Sequence, residues 1–256
     1  MEFLGKRGNT ARNNRHLCVT TSWDDGCPLD LRIMRLLEQY GLNGTFYVPI
    51  KNPDRSVMSK SDLLDLATLF EIGSHTYSHR VLPGLSSVEM KKEVTRGRDT
   101  LEQLLGRRVP CFCYPLGSFN QKAVQCLKEA DVRAARTTQA FHTADIKSRF
   151  QWGTTLQAFP HTPAVHFRHG LKERNWSGLY NYLFQLHIAS GWRELAVKLF
   201  DLVLHRGGVW HLWGHSWEIE KFGLWEDLEH VFEHVSGYPN ASYLTNGQVI
   251  DYFFPE

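Results

Sequence analysis

The sequence has little of what marks secreted, membrane or nucleic-acid-binding proteins. Its five cysteines are odd in number and include no C-x-x-C pair, which argues against a disulfide framework. No run of about 18 apolar residues is present to span a membrane, and no apolar segment of a signal peptide follows the N-terminus. The 29 basic and 27 acidic residues leave a net charge of +2, which does not indicate nucleic acid as a partner. We therefore expect a cytoplasmic chain.

Apolar, strand-like runs alternate with helical patterns along most of the 256 residues. This alternation favours an α/β fold in which helices cover a parallel sheet. We predict a flexible N-terminus over residues 1–15 and a single catalytic domain over residues 16–256. The clearest predicted strands cover residues 16–22, 45–50, 70–75, 109–115, 132–138 and 209–215. Among the predicted helices, one is capped by Ser61, one begins at Ser86 or Ser87 and is closed by Gly106, and one covers residues 176–191.

Two adjacent carboxylates, Asp24 and Asp25, follow the first predicted strand. Neighbouring carboxylates repel each other unless a cation or a proton shields them. A metal bound to one lowers the pKa of that one and leaves the other free to take a proton. The alternative is an ordinary surface turn, because Asp-Gly is a common turn pair.

Two histidines, His75 and His79, follow the third predicted strand. Their spacing of four lets both imidazoles face one point if the segment forms a helical turn. Two histidines and one carboxylate leave open positions for water and substrate, as a catalytic Zn²⁺ requires, and the same set suits Fe²⁺ or Co²⁺. The alternative is a pair of unrelated loop histidines in a chain that has 13.

His215 follows another apolar strand and stands between Trp213 and Trp217. A histidine at such a place is a candidate general acid, although a buried histidine without a chemical role is the more common case. The two tryptophans are suited to stacking on a sugar ring, and equally to packing in the core. All these polar residues follow strands, at the end where parallel sheets and barrels build their sites.

The motif array resembles the polysaccharide deacetylase family, also called the NodB-homology or carbohydrate esterase 4 family. S-W-D-D-G at residues 22–26 is similar to the family's T-F-D-D-G strand end, and H-T-Y-S-H at residues 75–79 to its H-S/T-x-x-H. The resemblance implies a distorted (β/α) barrel of about seven parallel strands. It also implies hydrolysis of an N-acetyl or O-acetyl group on a sugar, free or carrier-linked, of a cell-surface glycan or its precursor.

The resemblance also assigns roles to individual residues. It implies that Asp24 is the catalytic base, that His215 is the acid and that the backbone N–H at Leu116 steadies the oxyanion. The implied metal ligands are Asp25, His75 and His79. The implied cofactor is a divalent metal, with Zn²⁺ as the first choice and Fe²⁺, Co²⁺ or Ni²⁺ as alternatives.

The third motif departs from the family pattern. Cys113 stands where the family often has an arginine that fixes the base, and Leu116 where it often has tyrosine. Cys113 is expected to be a small buried residue, with a thiolate metal ligand as the alternative. For the partner of His215, Asp145 with Trp152 is one candidate and Glu218 another. The residues predicted to line the substrate site are Tyr114, Arg136, Trp213 and Trp217.

Two other functions compete with the deacetylase. One is hydrolysis of another small C–N amide on the same scaffold, at times without metal. The other is a non-catalytic, carbohydrate-binding relative, which predicts loss of Asp24 or of a metal ligand. Because both aspartates and both histidines are present, the metal-dependent deacetylase is the favoured hypothesis.

Overall fold

The computed structural model describes residues 16–144, 146–172, 175–180, 182–183 and 191–255. The N-terminus predicted to be flexible, residues 1–15, lies outside the described residues. So does much of the helix predicted over residues 176–191, of which the first five residues are helical as predicted. Within the part of the chain that is described, no helix combines the length and the apolar character that crossing a membrane would take.

The sheet consists of parallel strands in the order β5-β4-β3-β2-β1-β7-β6, and a short β8 pairs with the first residues of β1. The predicted barrel of about seven parallel strands is thereby confirmed. Alternating helices account for this topology, because parallel neighbours need a crossover between them. The strands are β1 (Leu17–Asp24), β2 (Gly44–Val48), β3 (Glu71–Ser74), β4 (Cys111–Cys113), β5 (Ala134–Arg136), β6 (Leu156–Gln157), β7 (Gly208–Gly214) and β8 (Ala241–Tyr243).

One irregular segment joins the two ends of this sheet. The N–H of Ala135 in β5 donates to the carbonyl of Arg149 at 2.7 Å, and Trp152 forms a bridge with Arg136. Three residues further on, the N–H of Thr155 donates to the carbonyl of His211 in β7 at 2.9 Å. The sheet therefore curls until its edge strands approach each other, and the interior is lined by side chains of opposite strands.

Several helices begin or end at recognisable capping residues. Ser86 and Glu89 form a reciprocal capping box at the predicted start of α3, and Gly106 ends that helix with a φ of 66°. Ser59, and not the predicted Ser61, caps α2, because its side chain accepts the N–H of Asp62. The helices are α1 (Asp30–Gln39), α2 (Lys60–Leu69), α3 (Ser87–Leu105), α4 (Gln121–Glu129), α5 (Pro163–Lys172), α6 (Trp176–Tyr180), α7 (Trp192–Arg206), α8 (Ser216–Lys221), α9 (Trp225–Val235) and α10 (Asn246–Phe253).

Helix α3 holds the histidine loop that follows β3. The carboxylate of Glu93 accepts the N–H of Ser78 at 2.9 Å and its hydroxyl at 2.7 Å, and the carbonyl of Glu93 accepts the N–H of Tyr77. Gly97, one turn later, lies so close that a Cβ there would stand 2.7 Å from the carbonyl carbon of Thr76. The helix can approach the loop this closely only because residue 97 has no side chain.

We expect Gly97→Ala to destabilise the protein by about 1–3 kcal/mol, because the added methyl group overpacks the loop. Helix propensity alone predicts the opposite effect, an increase of about 1 kcal/mol in the free energy of unfolding. Urea unfolding measures the difference. Gly191→Ala is the control, because its Cβ would meet nothing within 4 Å, and it should change stability by less than about 1 kcal/mol. A Gly97→Ala protein as stable as the wild type would contradict the close approach.

Candidate active site

The predicted site residues gather at the carboxyl end of the sheet, around a cavity of about 620 Å³. Asp24 is the last residue of β1, His75 follows β3, and His215 follows β7. These strands are parallel, so their carboxyl ends meet at the same end of the barrel. The predicted residues that line the cavity are Asp24, Asp25, His75, His79, Leu116, Trp213, His215 and Trp217.

Asp25, His75 and His79 point ligand atoms at a common centre. Asp25 Oδ1 lies 3.0 Å from His79 Nε2 and 3.9 Å from His75 Nε2, and the three ligand atoms are all within 4.8 Å of one another. Yet Asp25 Oδ1 is buried and accepts no hydrogen bond from the described residues. A buried carboxylate oxygen that faces two imidazole nitrogens is the arrangement that a divalent metal fits.

The protonation states also suit a metal site. Burial lowers the pKa of His75 to about 4, so its imidazole is neutral near neutral pH. Its Nδ1 is hydrogen-bonded to the carbonyl of Cys113 at 2.8 Å, which leaves Nε2 for a ligand bond. Burial opposes ionisation of Asp25, but the imidazoles of His79, His215 and His75 lower the pKa of this carboxyl on balance.

The backbone at the site is held in the left-handed region. Asp25 has a φ of 79°, His79 of 56°, Thr76 of 66° and Leu116 of 55°. Non-glycine residues adopt such angles at a cost of about 1–3 kcal/mol each, and they are concentrated at functional sites. The helical turn considered for residues 75–79 is wrong: the segment is an irregular loop, in which the two left-handed residues turn both imidazoles toward Asp25.

Arg136 holds Asp24. Its Nη2 donates to Asp24 Oδ1, and both side chains are buried. Burial raises the pKa of Asp24, but the guanidinium charge and the nearby imidazoles outweigh it and lower this pKa. The prediction that Arg136 lines the substrate site is therefore corrected: Arg136 is fully buried and pairs with the Asp24 carboxylate instead of lining the cavity.

This ion pair explains the departure at Cys113. Cys113 in β4 and Arg136 in β5 are register partners. The family often carries an arginine at the position of Cys113, and in this chain the arginine comes from the neighbouring strand. Burial raises the pKa of the Cys113 thiol well above its usual value, and Sγ donates to Asp24 Oδ2 at 3.5 Å. A second group of ligand atoms, from Asp24, His75 and Cys113, also lies within 4.8 Å.

His215 is oriented by Glu218 from the first turn of α8. Nδ1 of the imidazole lies 2.6 Å from Glu218 Oε2, and the Gln157 side chain donates to the same oxygen at 2.9 Å. Burial lowers the pKa of His215, but Glu218, Asp24 and Asp25 raise it on balance. The other candidate partner, Asp145, lies outside the described residues, and Trp152 packs against His211 with ring centroids 4.7 Å apart.

One predicted substrate contact, Tyr114, lies in the core, and another, Trp217, lines the cavity. Tyr114 is a core residue: it is fully buried, its hydroxyl donates to the carbonyl of Phe150 at 3.1 Å, and its ring stacks on Phe119. Trp217 lines the cavity, and its indole N–H also donates to Asp25 Oδ2 at 2.9 Å. Sequence reasoning missed Gln157 and Arg55 in the cavity wall, since no motif marks either residue.

The comparison with a family model confirms the resemblance drawn from the motifs. Residues 11–135 match the model for polysaccharide deacetylases. Over 125 residues the chain is 21% identical to "Putative polysaccharide deacetylase YxkH" of Bacillus subtilis (strain 168), an alignment that covers 48% of this chain and 45% of that protein. The chain thus matches less than half the length of this curated relative.

Solved structures show the same fold over nearly the whole chain. A "putative polysaccharide deacetylase from Mycobacterium smegmatis" has a TM-score of 0.64 at 16% identity, covering 94% of this chain and 91% of that one. A family 4 acetyl xylan esterase from Clostridium thermocellum, in complex with a cobalt ion, has a TM-score of 0.55 at 14% identity, covering 92% and 91%. The metal of that esterase is a property of a neighbour, and the likeness to this chain is one of fold.

We expect Arg136→Cys to destabilise the protein by about 3–5 kcal/mol, because it leaves the Asp24 carboxylate buried without its cation. The exchange variant Cys113→Arg/Arg136→Cys returns an arginine to the neighbouring strand and should recover part of this loss. Urea unfolding of the two single variants and the double variant gives the coupling energy. Equal stability of Arg136→Cys and the exchange variant would contradict the pairing across β4 and β5.

Proposed function

We propose that this chain, in which residues 11–135 match the polysaccharide deacetylase family, is a metal-dependent deacetylase. The reaction is hydrolysis of an acetyl group, in the first place an N-acetyl group, on a sugar of a cell-surface glycan or its precursor. The observation that carries the proposal is the convergence of Asp25, His75 and His79 beside Asp24, at the mouth of a cavity large enough for a sugar. The acetylated sugar is either free or linked to a carrier.

The metal ligands in this proposal are Asp25 Oδ1 and the Nε2 atoms of His75 and His79. Three protein ligands leave positions for water and substrate, as in catalytic rather than structural sites. A divalent ion held there, Zn²⁺ first with Fe²⁺, Co²⁺ or Ni²⁺ as alternatives, supplies polarisation of the acetyl carbonyl and a lower pKa for a water molecule.

Asp24 is the proposed general base. The guanidinium of Arg136 keeps this buried carboxyl ionised at neutral pH, which is the form that accepts a proton from water. The same contact fixes Oδ1 toward the barrel interior, so the carboxylate cannot turn away from the site.

His215 is the proposed general acid. Its raised pKa keeps the imidazole protonated closer to neutral pH, and Glu218 holds Nδ1, so Nε2 is the atom free to donate. Nε2 lies 3.9 Å from Asp25 Oδ2, on the site side of the ring, where a departing amine or hydroxyl would collect the proton. The backbone N–H at Leu116 is the proposed oxyanion donor, and Trp213 and Trp217 form walls for the sugar ring.

We expect untreated protein to contain about one divalent metal per chain by elemental analysis, in line with a single catalytic site. His79→Ala should lose most of this metal, because it removes one of three ligands. His230→Ala, which changes a histidine exposed on α9, should keep it. Protein that binds no divalent metal on reconstitution would remove the metal from the proposal.

We expect Asp24→Asn to keep the metal and to lose about 10²–10⁴-fold in turnover, the usual contribution of a general base. Acetate release is measured across N-acetylated and O-acetylated sugars, free, nucleotide-linked and lipid-linked, with and without chelator. Near-normal rates in Asp24→Asn would exclude it as the base. Turnover of small amides without acetylated sugars would favour another C–N hydrolase, and no turnover of any substrate a carbohydrate-binding protein.

A further inference from the structure

The two oxygens of the Asp25 carboxylate have opposite surroundings. Oδ1 faces the two histidines and receives no hydrogen bond from the described residues. Oδ2 accepts the indole N–H of Trp217 at 2.9 Å, and Arg55 Nε lies 3.8 Å from it. The carboxylate is therefore held by donors on one side and left open on the other.

Arg55 and Trp217 also contact each other. The guanidinium carbon of Arg55 lies 3.2 Å from the centroid of the Trp217 ring. Arg55 comes from the loop between β2 and α2, and Trp217 from α8, so two separate elements meet at Asp25 Oδ2. The side chain of Arg55 is 37% exposed and that of Asp25 is 4% exposed, so a partly exposed cation lies beside a buried carboxylate.

We propose that Trp217 and Arg55 form a clamp on Asp25 Oδ2, and that this clamp aims Oδ1 at the metal position between His75 and His79. Both are positioning residues, which act through Asp25. The inference rests on the metal site of the proposed function.

The physical reason lies in the freedom of a carboxylate. The terminal torsion of an aspartate side chain has a broad, two-fold preference, so nothing intrinsic decides which oxygen faces the metal. A hydrogen bond to the outer oxygen selects one orientation, and loss of such a partner typically weakens metal binding about 10–100-fold. Arg55 supports the indole in turn, because a flat guanidinium stacks on an aromatic face as an ammonium cannot.

The chain contains the same arrangement a second time, away from the site. The indole N–H of Trp225 donates to Glu220 Oε2 at 2.6 Å, and the guanidinium carbon of Arg32 lies 4.0 Å from the Trp225 ring centroid. Arg32 Nη1 lies 3.7 Å from the same oxygen, with both charged side chains about half exposed. Among the described residues, Glu220 belongs to no group of metal-ligating side chains, so this surface copy is a matched control.

The test is Zn²⁺ affinity, measured by chelator competition without substrate. Trp217→Phe keeps an aromatic ring for Arg55 and removes only the indole N–H, and we expect about 10–100-fold weaker binding. Trp225→Phe removes the matching N–H on the surface and should bind Zn²⁺ as the wild type does. Co²⁺ gives a second readout, because its visible spectrum reports ligand geometry: the spectrum should change in Trp217→Phe and stay unchanged in Trp225→Phe.

Arg55 provides an independent variant at a partly exposed position, where misfolding is not expected. Arg55→Gln should weaken Zn²⁺ binding about two- to fivefold, and Arg55→Lys should not restore it fully. If Trp217→Phe does not fold, the Arg55 variants decide alone. Wild-type Zn²⁺ affinity together with a wild-type Co²⁺ spectrum in Trp217→Phe would overturn the clamp. When Arg55→Gln decides alone, wild-type Zn²⁺ affinity in that variant would overturn it. Wild-type protein that binds neither Zn²⁺ nor Co²⁺ overturns the proposed metal site itself.

Discussion

The ion pair between Asp24 and Arg136 is the contact on which the geometry of this molecule depends. It joins the last residue of β1 to the last residue of β5, with β2, β3 and β4 between them in the sheet. In a flat sheet, strands four positions apart would lie about 19 Å from each other, far beyond the reach of an arginine. The pair can form only because the sheet curls, and it places a buried cation near the rings of Tyr47 in β2 and Trp213 in β7.

This cation also resolves the conflict between two adjacent carboxylates. Asp24 and Asp25 are both buried, and burial alone would favour their neutral forms. Each has its own positive or polar partner: Arg136 for Asp24, and the imidazoles with the Trp217 N–H for Asp25. These partners lower the pKa of both carboxyls, so Asp24 is ionised beside Arg136 and Asp25 is ionised beside the histidines.

Other side chains orient the residues of the site. Glu218 holds His215, and Arg55 with Trp217 holds Asp25, and all of them come from the loops and short helices above the sheet. Glu93 and Gly97 of α3 perform the corresponding task for the histidine loop, through hydrogen bonds and close packing. The strands thus place the candidate site residues, and the surrounding elements set their orientation.

The sequence by itself determined which residues lie together at the carboxyl end of the sheet. Asp24 ends an apolar strand, Asp25, His75 and His79 follow such strands, and the alternation of strands with helices makes those ends coincide. The tertiary structure alone decided their partners. Arg136 is 112 residues from Asp24 and Trp217 is 192 residues from Asp25, and no local pattern relates them. Their pairing depends on how far the sheet curls and on where the loops fold back, which are properties of packing over the whole barrel rather than of any short segment.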